Sequence, residues 1–227
     1  MLLGRFGLLV GGQGVGLPPA SQRLLAFVVL SGGAVSRARA AGVLWSGVPE
    51  ERAHTCLRAA LTRLGARAPG VLRANGVELT LAAGVRIDLH EAQLQARELL
   101  SCVNGAAVIP TDPLSAVSCF SKELLPGRYD DWVIAEGEAW RQLRLHALEE
   151  LSIQLALRGR YGESVAAARA AVGVDPLCES AHAALISVHL REGNQAEALR
   201  AFEQFRRHLH AELGLEPTPA LRALLPH

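Results

Sequence analysis

The segment from Glu50 to Arg67 has the length of a helix and places cations and hydroxyl groups together on one of its sides. At about 100° per residue, this side carries Arg52, Thr55, Arg58, Ala59, Thr62 and Arg63. An arginine can pair with a guanine edge or a phosphate, and small Ala and Thr side chains permit close approach to a major groove. These side chains could therefore form hydrogen bonds with double-stranded DNA. The same pattern also occurs on solvated helix faces, so the neighbouring elements decide between the two.

The other side of this segment is apolar and predicts how the helix is held. Its core residues recur at helical spacing and are Ala53, Leu57, Ala60, Leu61 and Leu64. Pro49 suits the start of a helix, and Glu50 and Glu51 lie in its first turn, where the helix dipole favours acidic side chains. We therefore expect a third helix packed on a core, with a basic outer face.

Two helices and a short hairpin are predicted upstream of it. Ser21 can cap a helix that runs to Leu30. Ser36 can cap a second helix that runs to Trp45. The glycines between 11 and 16 indicate a hairpin turn rather than a nucleotide-binding loop, because their spacing is wrong for such a loop.

Residues 71–81 alternate in polarity around Asn75-Gly76, which is a strong signal for a β-hairpin. Three helices followed by a hairpin make a winged helix-turn-helix. Besides the third helix, the predicted DNA contacts are Arg37, Arg39, Arg73 and Asn75. Glu78 lies on the same hairpin and is unhelpful to DNA binding because it repels phosphates.

Charge is divided unevenly along the 227 residues. The net charge is +1, but residues 1–90 carry 10 basic and 4 acidic side chains, and the remainder carries 13 basic and 18 acidic ones. A basic segment attracts polyanions, whereas a mildly acidic one is better suited to protein partners. We therefore predict a DNA-binding domain at 1–87 and a second domain of a different kind at 88–227.

The second half is predicted to be helical, so that the fold as a whole is mostly α. Gly159 and Gly193 lie 34 residues apart, each after an apolar helical segment and before an alanine-rich one. This helix-turn-helix period is that of tetratricopeptide repeats. An amphipathic helix is expected from His90 to Leu100, and residues 101–113 mark the clearest break. The residues expected between the repeat helices are Leu155, Val165, Leu185 and Leu199.

Cysteine usage and hydropathy exclude other classes of protein. The cysteines contain no C-x-x-C pair, which favours reduced small hydrophobic residues over a disulfide framework or a zinc site. They are Cys56, Cys102, Cys119 and Cys178. No apolar run approaches the roughly 20 residues of a membrane helix, and no targeting signal opens the chain. We expect a soluble cytoplasmic protein without a membrane partner.

Motifs for catalysis or cofactor binding are weak. His90-Glu91 begins like a zinc-protease helix, but Leu94 stands where the second histidine should be. His182 and His189 can share a helix face, and we interpret them as structural rather than as metal ligands. There is no G-x-S-x-G motif. The sequence therefore predicts no enzymatic activity, no metal and no cofactor.

Ordered motifs cover nearly the whole chain and carry a family resemblance. In the first half they are Ser21-Gln-Arg-Leu-Leu-Ala, Val35-Ser-Arg, Leu44-Trp45 and Ala53-His-Thr-Cys-Leu-Arg-Ala-Ala-Leu-Thr-Arg-Leu64. In the second half they are Glu123-Leu-Leu-Pro-Gly-Arg-Tyr-Asp-Asp-Trp-Val133, Asp175-Pro-Leu-Cys-Glu179 and Glu212-Leu-Gly-Leu-Glu-Pro217. The chain resembles bacterial transcriptional activators of the Streptomyces antibiotic regulatory protein type. In these proteins an OmpR-like winged helix precedes a bacterial transcriptional activation domain of tetratricopeptide-like helices.

The resemblance implies an activator that binds double-stranded DNA at repeated promoter sites, as a homodimer or a tandem assembly, and contacts RNA polymerase. By match to the family's recognition helix, Arg58 and Arg63 lead the DNA contacts, with Thr55 and Thr62 supporting them. The wing departs from the family, since Val77 and Glu78 stand where Tyr and a basic residue are common. The ATPase module of larger relatives is not expected, because the chain ends shortly after the repeats.

Two other functions stay open at this point. One is a protein-interaction scaffold with a degenerate winged helix, which Glu78 and the modest charge favour. The other is a helical-repeat protein that senses a small effector in its groove.

Overall fold

The computed structural model of the chain describes residues 1–101 and 109–225. The chain divides into two compact units, and each is assembled from two stretches of sequence. The first unit comprises Met1–Leu89 and Leu124–Gly137, and the second comprises His90–Glu123 and Glu138–His227. Cys102 and most of the expected break at 101–113 lie outside the described residues.

The first unit combines short strands with helices. Its strands are β1 (Leu9–Val10), β2 (Gln13–Gly14), β3 (Ala34–Ser36), β4 (Leu72–Ala74) and β5 (Glu78–Leu81). Its helices are α1 (Pro19–Leu30), α2 (Arg37–Leu44) and α3 (Glu50–Arg67). β1 and β2 form the predicted N-terminal hairpin, and the other strands form an antiparallel sheet in the order β3-β5-β4. The order of three helices and a hairpin is the one predicted.

Local signals start α2 and α3 at the predicted places. The first N–H groups of a helix lack intrahelical partners, so a side-chain oxygen in the cap position stabilises the start. Ser36 Oγ accepts such a bond from the backbone N–H of Arg39 at 3.2 Å, which confirms the predicted cap. α3 follows Pro49 directly and has Glu50 and Glu51 in its first turn.

The predicted cap of α1 is wrong. The helix begins at Pro19, with Pro18 in the cap position and no side-chain hydrogen bond to the first turn. Proline has its φ already in the helical range and no N–H to satisfy, so a helix can start there without a capping side chain. Ser21 is instead buried, and its hydroxyl donates to the carbonyl oxygen of Ala60 on α3 at 2.9 Å.

The hairpin β4–β5, with its turn at residues 75–77, is the hairpin predicted to form a wing, and it is called the wing below. Side chains alternate across a strand, and Leu79 faces the core while Arg73 is exposed on the outer side. Asn75 shapes the turn: its Oδ1 accepts hydrogen bonds from the backbone N–H groups of Val77 at 2.9 Å and Glu78 at 2.6 Å. Such bonding from an Asn side chain to the backbone two or three residues on stabilises a tight turn.

The helices and the sheet of the first unit enclose one core. Its buried members are Leu24, Phe27, Val28, Val35, Ala40, Ala41, Leu44, Ala53, Leu57, Ala60 and Leu79. Leu64 is also buried, and Leu61 is half-buried at the edge of the cluster. The predicted apolar stripe of α3 is therefore the side that packs.

The stretch Leu124–Gly137 completes the first unit. Trp132 packs edge-on against Phe27, with ring centroids 5.2 Å apart. Asp130 accepts a hydrogen bond from Arg23 Nε at 2.9 Å, across 107 positions of sequence. Because these contacts join distant parts of the chain, the compact units interleave along the sequence, whereas the predicted domains 1–87 and 88–227 are contiguous. That domain division stays a prediction.

The second unit is helical over its described residues. Its helices are α4 (Asp88–Leu100), α5 (Pro113–Phe120), α6 (Asp131–Leu157), α7 (Tyr161–Val174), α8 (Glu179–Arg191), α9 (Gln195–Leu213) and α10 (Pro219–Arg222). The first residues of α4 and of α6 belong to the first unit. α4 is the predicted amphipathic helix.

The predicted repeat turns are confirmed. Gly159 follows α6 and Gly193 follows α8, with φ angles of 71° and 86°. Glycine adopts this left-handed conformation without the steric cost of a Cβ, which makes it a common residue at the end of a helix. The two helix pairs are therefore α6 with α7 and α8 with α9.

The predicted inner residues of the repeats are only partly right. Leu155 is buried, but Val165 and Leu185 are half-buried and Leu199 is 45% exposed. The buried residues of α9 are Ala198, Phe202, Phe205 and Leu209. Leu199 lies one residue from this stripe, and one residue turns a side chain by about 100° around a helix axis. The prediction chose the wrong member of a neighbouring apolar pair.

Candidate nucleic-acid interface

The outer face of α3 is the candidate interface, and every residue predicted for it is exposed. These residues are Arg52, Thr55, Arg58, Ala59, Thr62 and Arg63. The first turn also exposes Glu50 and Glu51, whereas Arg67 adds a cation in the last turn. The face is therefore acidic only at its start and basic along the rest of the helix.

Hydrogen bonds within α3 hold the middle of this face in a fixed arrangement. Arg58 Nη2 donates to Thr55 Oγ1 at 2.9 Å, and Thr55 Oγ1 in turn donates to the carbonyl oxygen of Glu51 at 2.9 Å. Thr62 Oγ1 donates to the carbonyl oxygen of Arg58 at 3.0 Å. Both hydroxyl groups donate their one proton to the helix backbone, so towards a ligand the threonine oxygens can act only as acceptors. Thr55 also orients the guanidinium of Arg58.

Arg63 has more freedom than Arg58. With the described residues it makes neither a hydrogen bond nor an ion pair, and it is fully available to a ligand. A guanidinium in this state can reach a phosphate without breaking an existing contact. The two leading candidates therefore differ: Arg58 is held by a hydrogen bond within its own helix, whereas no hydrogen bond with the described residues holds Arg63.

The structure brings Arg37 and Asn75 together through contacts that shape the fold. Arg37 Nη1 donates to the carbonyl oxygen of Asn75 at 3.2 Å, and the backbone N–H of Arg37 donates to that of Val77 at 2.8 Å. These bonds fasten the turn of the wing to the start of α2. The remaining N–H groups of Arg37 stay open to a ligand, and Arg39 is exposed on the same helix.

The wing offers one cation and one acid. Arg73 and Glu78 are both exposed on the face of the hairpin that points away from the core. The tip between them presents Val77, which is 75% exposed. Arg73 can contact a DNA backbone, whereas Val77 and Glu78 contribute no charge attraction for phosphates.

The charge contrast between the units is smaller than between the two ends of the sequence. With Leu124–Gly137 included, the first unit has 11 basic and 7 acidic side chains, and the second has 12 and 15. The net charges become +4 and −3. Arg23 is also neutralised inside the first unit by Asp130. The open positive charge of this unit therefore lies largely on α2, α3 and the wing.

Other kinds of site were also sought. In the described ranges, no cluster of three or more His, Cys, Asp or Glu side chains is arranged to hold a metal ion. No helix in the same ranges combines the length and the apolarity needed to cross a membrane. Cys56, Cys119 and Cys178 are half-buried, and none of the three is in a disulfide bond.

The sequence left open a ligand-binding groove in the repeats but did not predict its lining; the structure shows a polar groove in the second unit that Arg169, His189 and Arg200 line. The available signal was the spacing of His182, Leu185 and His189, which at three and four residues share one face of α8. The cations on α7 and α9 come next to that face only through the packing of the repeats, which local sequence does not reveal.

Similarity to known proteins agrees with the sequence motifs. The family "Bacterial transcriptional activator domain" matches residues 114–226. The chain is 30% identical over 208 residues to the transcriptional regulator RedD of Streptomyces coelicolor, a match that covers 85% of this chain and 58% of RedD. It is 29% identical over 215 residues to the regulatory protein AfsR of Streptomyces coelicolor, which covers 91% of this chain and 21% of AfsR. The chain thus spans little more than half of one relative and about a fifth of the other.

A solved structure shows the same fold. Mycobacterium tuberculosis EmbR, in a complex with a low-affinity phosphopeptide, superposes with a TM-score of 0.69 at 20% sequence identity, over 98% of this chain and 62% of EmbR. The expected fold class is confirmed: mostly helical, with a small N-terminal antiparallel sheet followed by helical repeats. The motifs, the fold and the relatives agree: residues 114–226 belong to the family of bacterial transcriptional activator domains, and the chain as a whole is similar to regulators of the Streptomyces antibiotic regulatory protein type.

Proposed function

We propose that this protein is a sequence-specific DNA-binding regulator of transcription, an activator that binds beside a promoter and contacts RNA polymerase. The observation that carries the proposal is the outer face of α3, on which every predicted contact residue is exposed and Arg58 is already oriented by Thr55. Relatives that are themselves named as transcriptional regulators support it.

The geometry suggests a division of roles on duplex DNA. Arg58, held in the middle of the face, is suited to a bidentate contact with guanine, because a fixed fork loses little freedom on binding. Arg63 and Arg52 are suited to phosphates, which position a helix without reading sequence. Arg39 and Arg73 flank the helix and are proposed to contact the backbone on either side.

Arg58→Ala and Arg63→Ala test this proposal. If Arg58 reads a base, its loss lowers affinity for the specific site by about 1–3 kcal/mol and relaxes the preference at one base pair. If Arg63 binds a phosphate, its loss weakens binding to all sequences and reduces the slope of log affinity against log salt by about one. Footprinting on the region upstream of the protein's own gene finds the site, and titrations of the full chain at several salt concentrations measure both quantities.

Thr55→Val separates the effect of the orientation of Arg58 from the effect of its charge. Valine keeps the shape of threonine but cannot accept the hydrogen bond from Arg58. We expect a smaller loss of specific affinity than in Arg58→Ala, with an unchanged salt slope. Arg5→Ala is the matched control, since it removes an exposed arginine of the first unit that is not on α3. Specific binding that survives in both Arg58→Ala and Arg63→Ala, with intact circular dichroism, would remove α3 as the recognition helix.

The remaining parts of the proposal concern the partners of the protein and its location in the cell. Two copies on repeated half-sites would bind more tightly than one, because the second event gains from effective concentration. A titration against one and two half-sites shows whether such cooperativity exists. In vitro transcription with purified RNA polymerase tests activation. We expect the protein in the cytoplasm, because a bacterial DNA-binding regulator has to reach its template there.

A further inference from the structure

A groove in the second unit is formed by side chains of α7, α8 and α9. Its volume is about 420 Å³, within the range of about 300–1,000 Å³ that is typical of small-molecule sites. No residue of the candidate DNA interface lines it. Its walls combine charged groups with apolar ones such as Val172 and Leu185. Such a lining fits a ligand that has both a charged and an apolar part.

Cations reach this groove from two helices. Arg169 lines it from α7 and makes no hydrogen bond or ion pair with any residue that the structure describes. Arg200 lines it from α9, where its guanidinium is paired with the carboxylate of Glu197 three residues earlier. One carboxylate faces two guanidinium groups, so the groove keeps an excess of positive charge.

Between the arginines, α8 supplies a buried imidazole with no partner. His189 is only 7% exposed and lines the groove, and its Nδ1 is buried without a hydrogen bond. Buried polar side chains are nearly always hydrogen-bonded, because an unmet donor or acceptor costs free energy. His182 on the same face also has a buried Nδ1 without a hydrogen bond, but its ring stacks on Phe205 with centroids 4.1 Å apart and its Nε2 lies 3.0 Å from the carbonyl oxygen of Pro176. The ring of His182 is therefore fixed by two contacts, whereas no hydrogen bond with the described residues fixes the ring of His189.

We propose that this groove binds a small organic anion. The phosphate or carboxylate group of the ligand pairs with Arg169 and Arg200, and a polar atom beside it hydrogen-bonds to His189. The apolar part of the ligand lies against Val172 and Leu185. Arginine suits this role because its planar fork matches both kinds of oxyanion with two parallel hydrogen bonds.

Three probes on the full chain test the proposal. Phenyl phosphate and phenylacetate each join an aromatic ring to an anionic group, and benzyl alcohol is the uncharged counterpart. We expect calorimetry to show that at least one of the anions binds about tenfold or more tightly than benzyl alcohol. Amide shifts in α7, α8 and α9 locate the site by NMR. The ratio of the affinities for phenyl phosphate and phenylacetate shows whether the groove prefers a phosphate or a carboxylate.

Exposed residues of the groove allow variants that leave the fold intact. Arg169→Gln and Arg200→Gln are each expected to weaken anion binding about tenfold, since each removes a charge-assisted pair. Glu197→Gln is expected to raise the affinity for the anion, because it removes the carboxylate that competes for the guanidinium of Arg200. Arg191→Gln, in the last turn of the same α8 but outside the groove, is the matched control and should change nothing.

Three results would overturn the proposal. They are the absence of amide shifts in α7, α8 and α9 with about 10 mM of either anion, an affinity for benzyl alcohol equal to that for the anions, and equal effects of Arg169→Gln and Arg191→Gln. DNA affinity measured on the same variants keeps this test separate from that of α3. Loss of anion binding with unchanged DNA binding bears on the groove alone.

Discussion

On the outer face of α3, a hydroxyl group sets the direction of the central cation. Arg58 loses rotamer freedom to Thr55 before any DNA is present. The side chain of arginine carries about 2 kcal/mol of rotamer entropy, so part of the cost of ordering it is met in advance. The protein thereby favours one geometry of Arg58 over an unoriented charge, as the proposed contact with a base requires.

His182 gives the second unit a dependence on pH. Burial lowers the pKa of His182, and the nearby His208 lowers it further, while the carbonyl oxygen of Pro176 and the carboxylate of Asp175 oppose the change. In the unfolded chain the pKa of a histidine is about 6.5, so near and below that pH the unfolded state binds the proton more readily than the folded state. The stabilisation is fully present above the unfolded pKa and is lost as the pH falls through the lower folded pKa.

Urea unfolding between pH 7.5 and 5.5 therefore measures this effect. We expect the free energy of unfolding to decrease across this interval in the wild type and to decrease less in His182→Gln, which cannot titrate. His90→Gln removes an exposed histidine and serves as the control. A steeper dependence on pH in His182→Gln than in the wild type would contradict the assignment.

Two serines show what local sequence can and cannot predict at this scale. Ser36 caps α2 as expected, because a cap needs only the residue and the helix that follows it. Ser21 does not cap α1, because its hydroxyl finds Ala60, 39 positions further along the chain. Asn75 was predicted near a turn, and its role in that turn follows from neighbours two and three residues away. Contacts across long sequence separations are what the sequence pattern does not contain.

At the scale of elements, the pairing of α8 with α9 depends on one apolar stripe from each helix. Ile186 on α8 is fully buried in a cluster with Ala198, Phe202 and Phe205 of α9. The predicted period of the repeat and the positions of its glycine turns are correct. The inward face of each helix was harder to predict, since Leu199 and Ala198 are adjacent apolar residues and only packing decides between them.

Ile186→Ala is expected to lower the free energy of unfolding by about 2–5 kcal/mol, because it removes buried methyl groups and leaves a cavity. Leu199→Ala on the exposed side of α9 removes as many carbon atoms and should cost far less. Thermal or urea unfolding of the full chain compares the two. Equal losses of stability would show that the inner face of this helix pair has been assigned wrongly.

At the scale of the whole molecule, the family domain and the compact units do not share a boundary. The matched region begins at residue 114, yet its stretch Leu124–Gly137 belongs to the first unit. Charge and motif patterns along the sequence predict two parts but place this stretch with the second. Its membership follows from the contacts of Trp132 and Asp130 with residues near the start of the chain.

Trp132→Ala tests that membership. We expect it to destabilise the first unit by about 2 kcal/mol or more, since the indole covers Phe27 in the core, and to weaken DNA binding at temperatures near the transition. Tyr129→Ala is the control, because it removes an aromatic ring from the same stretch that is 83% exposed. Hydrogen exchange of the amides in α1 reports on the first unit directly. If the hydrogen-exchange protection of α1 is the same in Trp132→Ala as in the wild type, the stretch Leu124–Gly137 does not stabilise the first unit.

The interleaving of the two units limits how such a protein can be recombined. A single crossover after residue 87 between two relatives would draw Arg23 and Phe27 from one parent and Asp130 and Trp132 from the other. An exchange of the first unit that keeps its internal contacts needs two inserts, Met1–Leu89 together with Leu124–Gly137. The first unit can therefore be transplanted only as two separate pieces of one gene.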